Sequence, residues 1–369
     1  MSCTSPLIRA ETYEAYTNQK GGKSYKAEWL PRTLMDECGN LRTLRRRFNH
    51  KYRKIDLVGC GQCIDCQLNY SRDRATQMML HKQYGYHEVF DENNNPLDKG
   101  HAYPDGTCWF LTVTYADEYL KTFQTLDTET GEKFEGISLS VEDHQKFIKR
   151  LRKKYPQIKI QFVCAGEYGS QTLRPHYHYI IYGLPLPQET FVKRGLNGLN
   201  QPIWSCDELT DIWGMGHVTI GRVDWRSAAY VARYTLKKAF KKDKDYYYAQ
   251  GMHPEFIIWS NGIGKEYYFE SKDKIYTTDE VMIPGKMVKP PKSYDRYLKE
   301  SDPELYNKIK AKREQAAQFA ETQWQTDLTP EERRKMQEAR MKQVIKDIRT
   351  EVWNIQNLNI THLTKLEIM

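Results

Sequence analysis

Alternating hydrophobic and polar positions in the middle of the chain predict a group of strands. In residues 109–115, Trp109, Leu111 and Val113 share one face and Thr112 lies on the other, which is typical of a half-buried strand. Short apolar runs predict three more strands, at residues 161–169, 174–182 and 217–223. The centre of the chain therefore contains enough strands for a sheet.

Two helices are predicted among these strands by the residues at their ends. Ser140 and Asp143 form a capping-box pattern that begins the first helix, and Pro156 ends it. Asp224 caps the second helix, which runs to about Phe240. The order strand, helix, strand, strand, strand, helix favours an α+β fold with a largely antiparallel sheet, covered by helices on one face.

The flanking segments have weaker patterns. Residues 1–58 show no firm periodicity, and a helix is predicted from Ser71 to about Tyr84. Residues 91–107 and 188–215 are predicted to be connections, and Glu129-Thr130-Gly131 signals a hairpin. These segments are predicted to join or flank the sheet.

From residue 301 the chain becomes rich in charged residues, glutamine and alanine, and Pro303 and Pro330 stand at first helical positions. We therefore expect three parts. They are a basic, cysteine-rich N-terminal segment with a helix in residues 1–90, a sheet domain in residues 105–300 and a charged helical extension in residues 301–369.

Composition favours a polyanionic partner. The 369 residues carry a formal net charge of +8, and 12% are aromatic, including 26 tyrosines on which unpaired bases could stack. No apolar run approaches the ~18 residues of a membrane span, and no secretory leader opens the chain. We therefore expect a protein that stays in the cytoplasm where it is made, without a membrane partner.

Two histidines separated by one residue provide a candidate metal site. His176 and His178 leave the same face of the predicted strand, which Pro175 suits as a first residue. Glu167 ends the preceding strand, and a hairpin would return its carboxylate beside the imidazoles. The alternative for the histidine pair is a structural role or a partly exposed strand face.

The second predicted helix carries Tyr230 and Tyr234 on one face, with Lys238 a further turn along. An amphipathic helix that packs its tyrosines on a sheet would show the same pattern. A phenol is a poor nucleophile near neutral pH unless a cation or base lowers the cost of ionising it. A metal, a phenol and lysines together favour cleavage of phosphodiesters.

Three blocks of sequence resemble a known family. They are Phe110-Leu111-Thr112-Val113-Thr114-Tyr115, Arg174-Pro175-His176-Tyr177-His178 and Tyr230-Val231-Ala232-Arg233-Tyr234-Thr235-Leu236-Lys237-Lys238. Their order and spacing are similar to those of HUH endonucleases, within them the rolling-circle replication initiators of gokushovirus-type bacteriophages in the Microviridae. The resemblance implies a nuclease domain whose sheet is like that of an RNA-recognition motif.

The resemblance also implies a mechanism. A Mg²⁺ or Mn²⁺ ion bound by Glu167, His176 and His178 would assist one tyrosine to nick single-stranded origin DNA. The products would be a 5′-phosphotyrosine and a free 3′ hydroxyl, and the second tyrosine would later allow a closed circle to be released. If a single tyrosine acts, its Tyr-x-x-Lys pattern favours Tyr234.

The predicted phosphate contacts and partners complete this reading. Lys237 and Lys238 are predicted to position phosphate, and Arg45, Arg46, Arg47 and Arg174 to contact DNA. A host DNA polymerase and a host helicase are expected partners. The glycines at residues 262–264 fit neither a GxGxxG nor a Walker loop, so no ATP site is predicted.

Three clustered cysteines suggest a second metal. Cys60, Cys63 and Cys66 could supply three tetrahedral ligands to a structural zinc ion, and the resemblance suggests Cys3 as the fourth. Cys38, His50 and His81 are competing fourth ligands. The alternative is that the clustered cysteines are free thiols.

Two other function classes fit the same residues. A non-catalytic origin-binding accessory protein could use the histidines and cysteines to hold its fold together. A transposase or plasmid relaxase would share the nicking chemistry and differ in its DNA substrate. Formation of a covalent protein–DNA adduct separates the first alternative from an endonuclease, and the substrate separates the second.

Overall fold

The computed structural model of the chain describes residues 7–17, 23–31, 33–38, 41–59, 64–93, 95–101, 103, 106–126, 130–169, 172–197, 200–237, 247–248, 251–323, 335 and 339. The chain divides into two compact units, residues 1–69 and residues 70–369. Each unit is described by itself.

The described strands, in chain order, are β1 Leu7–Thr17, β2 Lys23–Leu30, β3 Tyr52–Val58, β4 Tyr86–Phe90, β5 Pro96–His101, β6 Trp109–Tyr115, β7 Lys121–Leu126, β8 Lys133–Ser138, β9 Gln161–Tyr168, β10 Pro175–Tyr182, β11 Val192–Leu196, β12 Pro202–Ser205, β13 Gly216–Arg222, β14 Phe256–Trp259, β15 Val281–Ile283 and β16 Lys286–Val288. The described helices are α1 Thr33–Cys38, α2 Leu41–Arg47, α3 Ile64–Tyr84, α4 Val141–Lys154, α5 Asp207–Trp213, α6 Trp225–Lys237, α7 Lys265–Thr278, α8 Lys292–Ser301 and α9 Pro303–Gln323. Single 3-10 turns lie at Asp117–Tyr119 and Gln188–Thr190.

The first unit contains an antiparallel sheet in the order β2-β1-β3. Ile8, Ala10 and Ile55 on one face of this sheet pack with Leu44 of α2. The hydrophobic pattern showed no sign of these strands, because only Ile8 and Ala10 are buried among the eleven residues of β1. A hydrophobic alternation this short is hard to distinguish from irregular chain.

The second unit is built on a seven-stranded sheet in the order β11-β12-β13-β6-β10-β9-β14, in which each pair of neighbours is antiparallel. The predicted strands at residues 109–115, 161–169, 174–182 and 217–223 are confirmed, and so is the α+β class. Strand β10 is internal, between β6 and β9, and Pro175 is its first residue.

Helices cover both faces of this sheet, and the expectation of one covered face is wrong. Tyr177 and Tyr179 of β10 lie in one cluster with Phe147 of α4. Ile180 and Tyr182 lie in another with α3 and α6 residues. Every residue of β9 is buried, and a strand with no polar face needs cover on both sides.

Several boundaries differ from those expected. Helix α3 begins at Ile64, seven residues before the predicted Ser71. Strand β5 lies within residues 91–107, and β11, β12 and α5 lie within residues 188–215, so these segments are more than connections. The predicted hairpin around Gly131 is confirmed by the pairing of β7 with β8.

The charged extension is described only in part. Helix α9 begins at Pro303, as predicted, and Pro330 lies outside the described residues. Within the part of the chain that the structure describes, none of the helices combines the length and apolar character of a membrane span.

Helix α6, which carries the tyrosines, has the N-terminal cap that the sequence predicted. The Ser227 backbone N–H donates to Asp224 Oδ1 at 2.8 Å, and the Asp224 N–H donates to Ser227 Oγ at 2.9 Å. This reciprocal pair satisfies two donors that the first helical turn would otherwise leave without a backbone acceptor. The cap therefore fixes where the helix begins beneath the sheet.

We expect Asp224→Ala to lower the free energy of unfolding by about 1 kcal/mol, because the Ser227 N–H loses its acceptor. Urea denaturation measures the change. Asp224→Asn is the matched control, since it keeps a capping oxygen and should stay close to wild type. An equal loss in both variants would show that the carboxylate charge, and not the cap, is what stabilises the helix.

Candidate metal centre

The pairing of β9 with β10 brings the predicted carboxylate to the predicted histidines. Glu167 lies directly opposite His176 in the antiparallel register. Directly opposed residues share a face, and His178 shares that face because it lies two residues further along the strand. The hairpin inferred from the sequence is therefore confirmed at the level of individual residues.

The three side chains converge on one carboxylate oxygen. His176 Nε2 lies 2.8 Å and His178 Nε2 lies 2.7 Å from Glu167 Oε1. One ligand atom from each residue lies within 4.8 Å of the others, so the group can hold a metal ion. Two imidazole nitrogens with one carboxylate oxygen suit Mn²⁺ better than Mg²⁺, which prefers oxygen ligands.

Burial makes the charges in this group interact strongly. Glu167 is 1% exposed and His178 is 3% exposed. Burial by itself would raise the pKa of the Glu167 carboxyl, but the charge and hydrogen bonds of His176 and His178 hold that pKa well below its usual range. Burial opposes charge on His176, yet the Glu167 carboxylate raises the His176 pKa above its ordinary value. A carboxylate ionised at neutral pH is the form that binds a cation.

Neighbouring groups orient both imidazoles. Thr112 Oγ1 lies 3.1 Å from His178 Nδ1, and the Arg174 carbonyl lies 3.1 Å from His176 Nδ1. Phe110 stacks on the His178 ring at 5.5 Å with an interplanar angle of 11°. By engaging the Nδ1 atoms, these contacts favour presentation of the Nε2 atoms to Glu167.

The strand that supplies two of these groups was predicted only as a scaffold. Phe110 and Thr112 belong to β6, and the register pairs Thr112 with His178 and Phe110 with Ile180. The alternation of residues 109–115 showed which side chains share a face. It did not show which strand lies beside the histidines, so the role of Thr112 could not be found from it.

Tyr230 reaches the same centre from α6. Its hydroxyl donates to Glu167 Oε1 at 3.0 Å and lies 3.2 Å from His178 Nε2. Tyr230 is 4% exposed. The structure therefore brings one predicted nucleophile to the predicted metal ligands.

The other predicted catalytic residues are described less fully. The backbone of Tyr234 lies one turn further along α6 and that of Lys237 lies near its end, but their side chains are outside the description. Lys238 lies outside the described residues. Their roles stay predictions.

A second carboxylate close to this centre was missed by sequence reasoning. The Tyr168 backbone N–H donates to Glu255 Oε1 at 3.1 Å, and the charge of Glu255 contributes to the raised pKa of His176. Glu255 immediately precedes β14, where Phe256 pairs with Gly166. The signal for it is a pairing between distant strands, which no local pattern contains.

The predicted zinc ligands are largely undescribed. Cys3, Cys60 and Cys63 lie outside the described residues, while Cys66 lies in the first turns of α3 and not in the tight turn expected for it. A helical Cys66 still leaves zinc a prediction. Among the residues that the structure describes, the cluster suited to a metal is that of Glu167, His176 and His178.

The arginines predicted to contact DNA make intramolecular contacts. Arg45 Nε donates to the Ile55 carbonyl at 2.7 Å, and Arg47 pairs with Glu37 at 3.4 Å. Arg46 is exposed. Their DNA contacts stay predictions.

Arg174 braces the end of β6. Its guanidinium pairs with Asp117 at 2.5 Å and donates to the Tyr115 carbonyl at 2.6 Å. Because its own carbonyl faces His176, these contacts hold one side of the metal centre in place. A DNA contact by Arg174 stays a prediction.

We expect Glu167→Gln to weaken Mn²⁺ binding at least tenfold, because the substitution removes the anionic ligand. Electron paramagnetic resonance of unbound Mn²⁺ measures the affinity. Asp143→Asn is the matched control, since Asp143 is also a buried carboxyl that accepts a tyrosine hydroxyl, from Tyr115 at 2.9 Å. Equal affinities for Glu167→Gln and wild type would rule out this centre as the Mn²⁺ site.

We expect Thr112→Val to weaken Mn²⁺ binding about tenfold while the fold is kept, because His178 Nδ1 loses its hydroxyl partner. The same resonance titration measures the effect. Thr114→Val is the control, since the Thr114 hydroxyl donates to the His217 carbonyl at 3.4 Å instead. Matching losses in the two threonine variants would count against a specific role for the contact to His178.

Comparison with known proteins places the chain in a family. The model of the replication-associated protein ORF2 family matches residues 108–239. A replication-associated protein ORF2 of Spiroplasma virus 4 is 32% identical over 309 residues, which cover 79% of this chain and 86% of that protein. No solved structure matches.

Two further relatives are also phage replication-associated proteins. VP4 of Bdellovibrio phage phiMH2K is 29% identical over 265 residues, 69% of this chain and 71% of the relative. ORF4 of Chlamydia phage 1 is 22% identical over 265 residues, 68% of this chain and 57% of the relative. The chain belongs to the replication-associated protein ORF2 family of small phages.

Proposed function

We propose that this phage replication-associated protein is an HUH endonuclease that nicks single-stranded origin DNA through a tyrosine and later rejoins it. The proposal includes the HUH fold for the domain built on the seven-stranded sheet. The observation that carries it is the 3.0 Å hydrogen bond from the Tyr230 hydroxyl to Glu167 Oε1. A phenol in contact with a group able to hold a metal is the arrangement that phosphodiester cleavage by tyrosine needs.

Tyr230 is the proposed nucleophile. Its hydroxyl oxygen forms a bond to the scissile phosphorus, and the bond from phosphorus to the 3′ oxygen breaks. The phenolic proton has two acceptors within reach, Glu167 Oε1 and His178 Nε2. The products are a 5′-phosphotyrosine and a free 3′ hydroxyl that a host polymerase can extend.

The ligand set assists this step by lowering the cost of the negative charge that develops. A divalent cation held by Glu167, His176 and His178 would polarise the phosphate oxygens and favour the phenolate. Thr112 and the Arg174 carbonyl keep the imidazoles oriented. Lys237 and Lys238 are proposed to position the phosphate.

Tyr234 is proposed as the second nucleophile, for the end of a replication round. It would cut the regenerated origin, and the released 3′ hydroxyl would attack the first phosphotyrosine to close a circle. Because the phosphotyrosine ester conserves the energy of the original bond, rejoining needs no ATP. Strand separation is assigned to a host helicase in the bacterial cytoplasm.

An origin-binding accessory protein is the second candidate function. The burial of Tyr230 and its hydrogen bonds to the ligand group favour it, since the same contacts could simply stabilise the sheet. A transposase or relaxase would share the proposed chemistry, and mapping the nick on the cognate circular genome separates these enzymes by substrate.

We expect wild-type protein incubated with cognate origin DNA and Mn²⁺ to form an adduct that survives a denaturing gel. Tyr230→Phe removes the attacking oxygen and should reduce adduct formation in the first cut at least a hundredfold. Tyr234→Phe, tested separately, shows which tyrosine acts first. The magnitude is an order-of-magnitude expectation for the loss of a nucleophile, roughly as in other covalent enzymes.

Tyr276→Phe is the matched control, because the Tyr276 hydroxyl also donates to a carboxylate, Asp295 Oδ1 at 3.2 Å. This variant should form the adduct at the wild-type rate. Binding of origin DNA by the wild type without an adduct in Mn²⁺ would favour the accessory protein and overturn the endonuclease.

A further inference from the structure

The sheet of the first unit has one face covered and one face open. Ile8 and Ala10 of β1 point to the buried face, where α2 packs. Arg9 and Glu11 alternate with them and point to the other face. Trp29 of β2 lies directly opposite Arg9, and so it belongs to the open face.

Trp29 is 60% exposed. A tryptophan buries more apolar area than most side chains when it is covered, so leaving it on a solvent-facing sheet forgoes that stabilisation. Tyr25 and Ala27 share its face along the same strand. The small Ala27 leaves space between the two aromatic rings, which are about 13 Å apart along the strand.

Cations lie beside these rings. The Arg53 guanidinium stacks over the Tyr25 ring at 4.0 Å and is itself exposed. Arg9 pairs with Glu11 at 2.6 Å, and Lys54 pairs with Asp56 at 2.8 Å. Ion pairs in partly exposed positions such as these are weak, so a phosphate can compete for the arginine and the lysine.

The charge of the whole unit has the same sign. Residues 1–69 contain twelve lysines and arginines against seven aspartates and glutamates. This difference gives a net charge of +5, out of +8 for the entire chain. A basic surface that presents aromatic rings is complementary to unpaired nucleic acid, whose phosphates and bases it can bind together.

We propose that the open face of β1, β2 and β3 binds single-stranded DNA, with one base stacked on Trp29 and phosphates held by Arg9 and Lys54. The site is separate from the metal centre and does not depend on the nicking proposal. The basic run that contains Arg45, Arg46 and Arg47 belongs to α2, on the covered side of the sheet.

Binding is measured by fluorescence anisotropy of labelled oligo(dT) of about 30 nucleotides, with the full chain in EDTA so that no metal-dependent step occurs. We expect Trp29→Ala to weaken binding about tenfold and Trp29→Phe, which keeps a ring, to weaken it less. The slope of log affinity against log salt should stay unchanged in both variants. Arg9→Gln should instead reduce that slope by about 0.7, because one phosphate contact is lost.

Phe269→Ala is the matched control, because Phe269 is 58% exposed but belongs to the second unit. It should bind oligo(dT) like the wild type. Wild-type affinity in folded Trp29→Ala, or an equal loss in Phe269→Ala, would overturn the proposal. A change of mass in sedimentation without a change in DNA affinity would also overturn it, by assigning the face to a second copy of the chain.

The adduct assay separates this proposal from the proposed function. Trp29→Ala should still form the covalent adduct when origin DNA is saturating, since it leaves Tyr230 and the metal ligands untouched. Failure of the nicking proposal would appear as a wild-type protein that binds oligo(dT) through Trp29 but forms no adduct in Mn²⁺.

Discussion

The antiparallel register between β9 and β10 is the constraint on which the metal centre depends. It sets Glu167 opposite His176, and a shift of one residue would turn the carboxylate to the other face of the sheet. Burial then makes this position costly unless the carboxylate is paired. The two imidazoles and the Tyr230 hydroxyl supply those partners.

The surrounding layers hold that register in place. Strands β9 and β10 are buried on both faces, so α4 packs on one side and α6 on the other. The layer that covers the histidine face is also the one that carries the tyrosine. A helix placed there for packing therefore brings a phenol to the metal ligands, and the cap at Asp224 fixes its start.

Local patterns were enough to predict the strands, the α6 cap and the Glu167–His176 hairpin, because each involves residues close together in sequence. They were not enough for Thr112 and Glu255, which meet the centre through pairings between distant strands. The second helix layer was missed because a strand buried on both faces has no alternation to reveal it. The sheet of residues 7–58 was missed because its buried face is small and its open face carries Arg9 and Trp29.

The account depends on a cation bound by Glu167, His176 and His178 next to the Tyr230 hydroxyl. Anomalous diffraction from crystals grown with Mn²⁺ tests this most directly. The account predicts a manganese peak within about 2.5 Å of both Nε2 atoms and the Glu167 carboxylate, with the Tyr230 hydroxyl beside it. Manganese bound elsewhere with these three side chains still paired to one another, or a Tyr230 ring turned away from the peak, would contradict it.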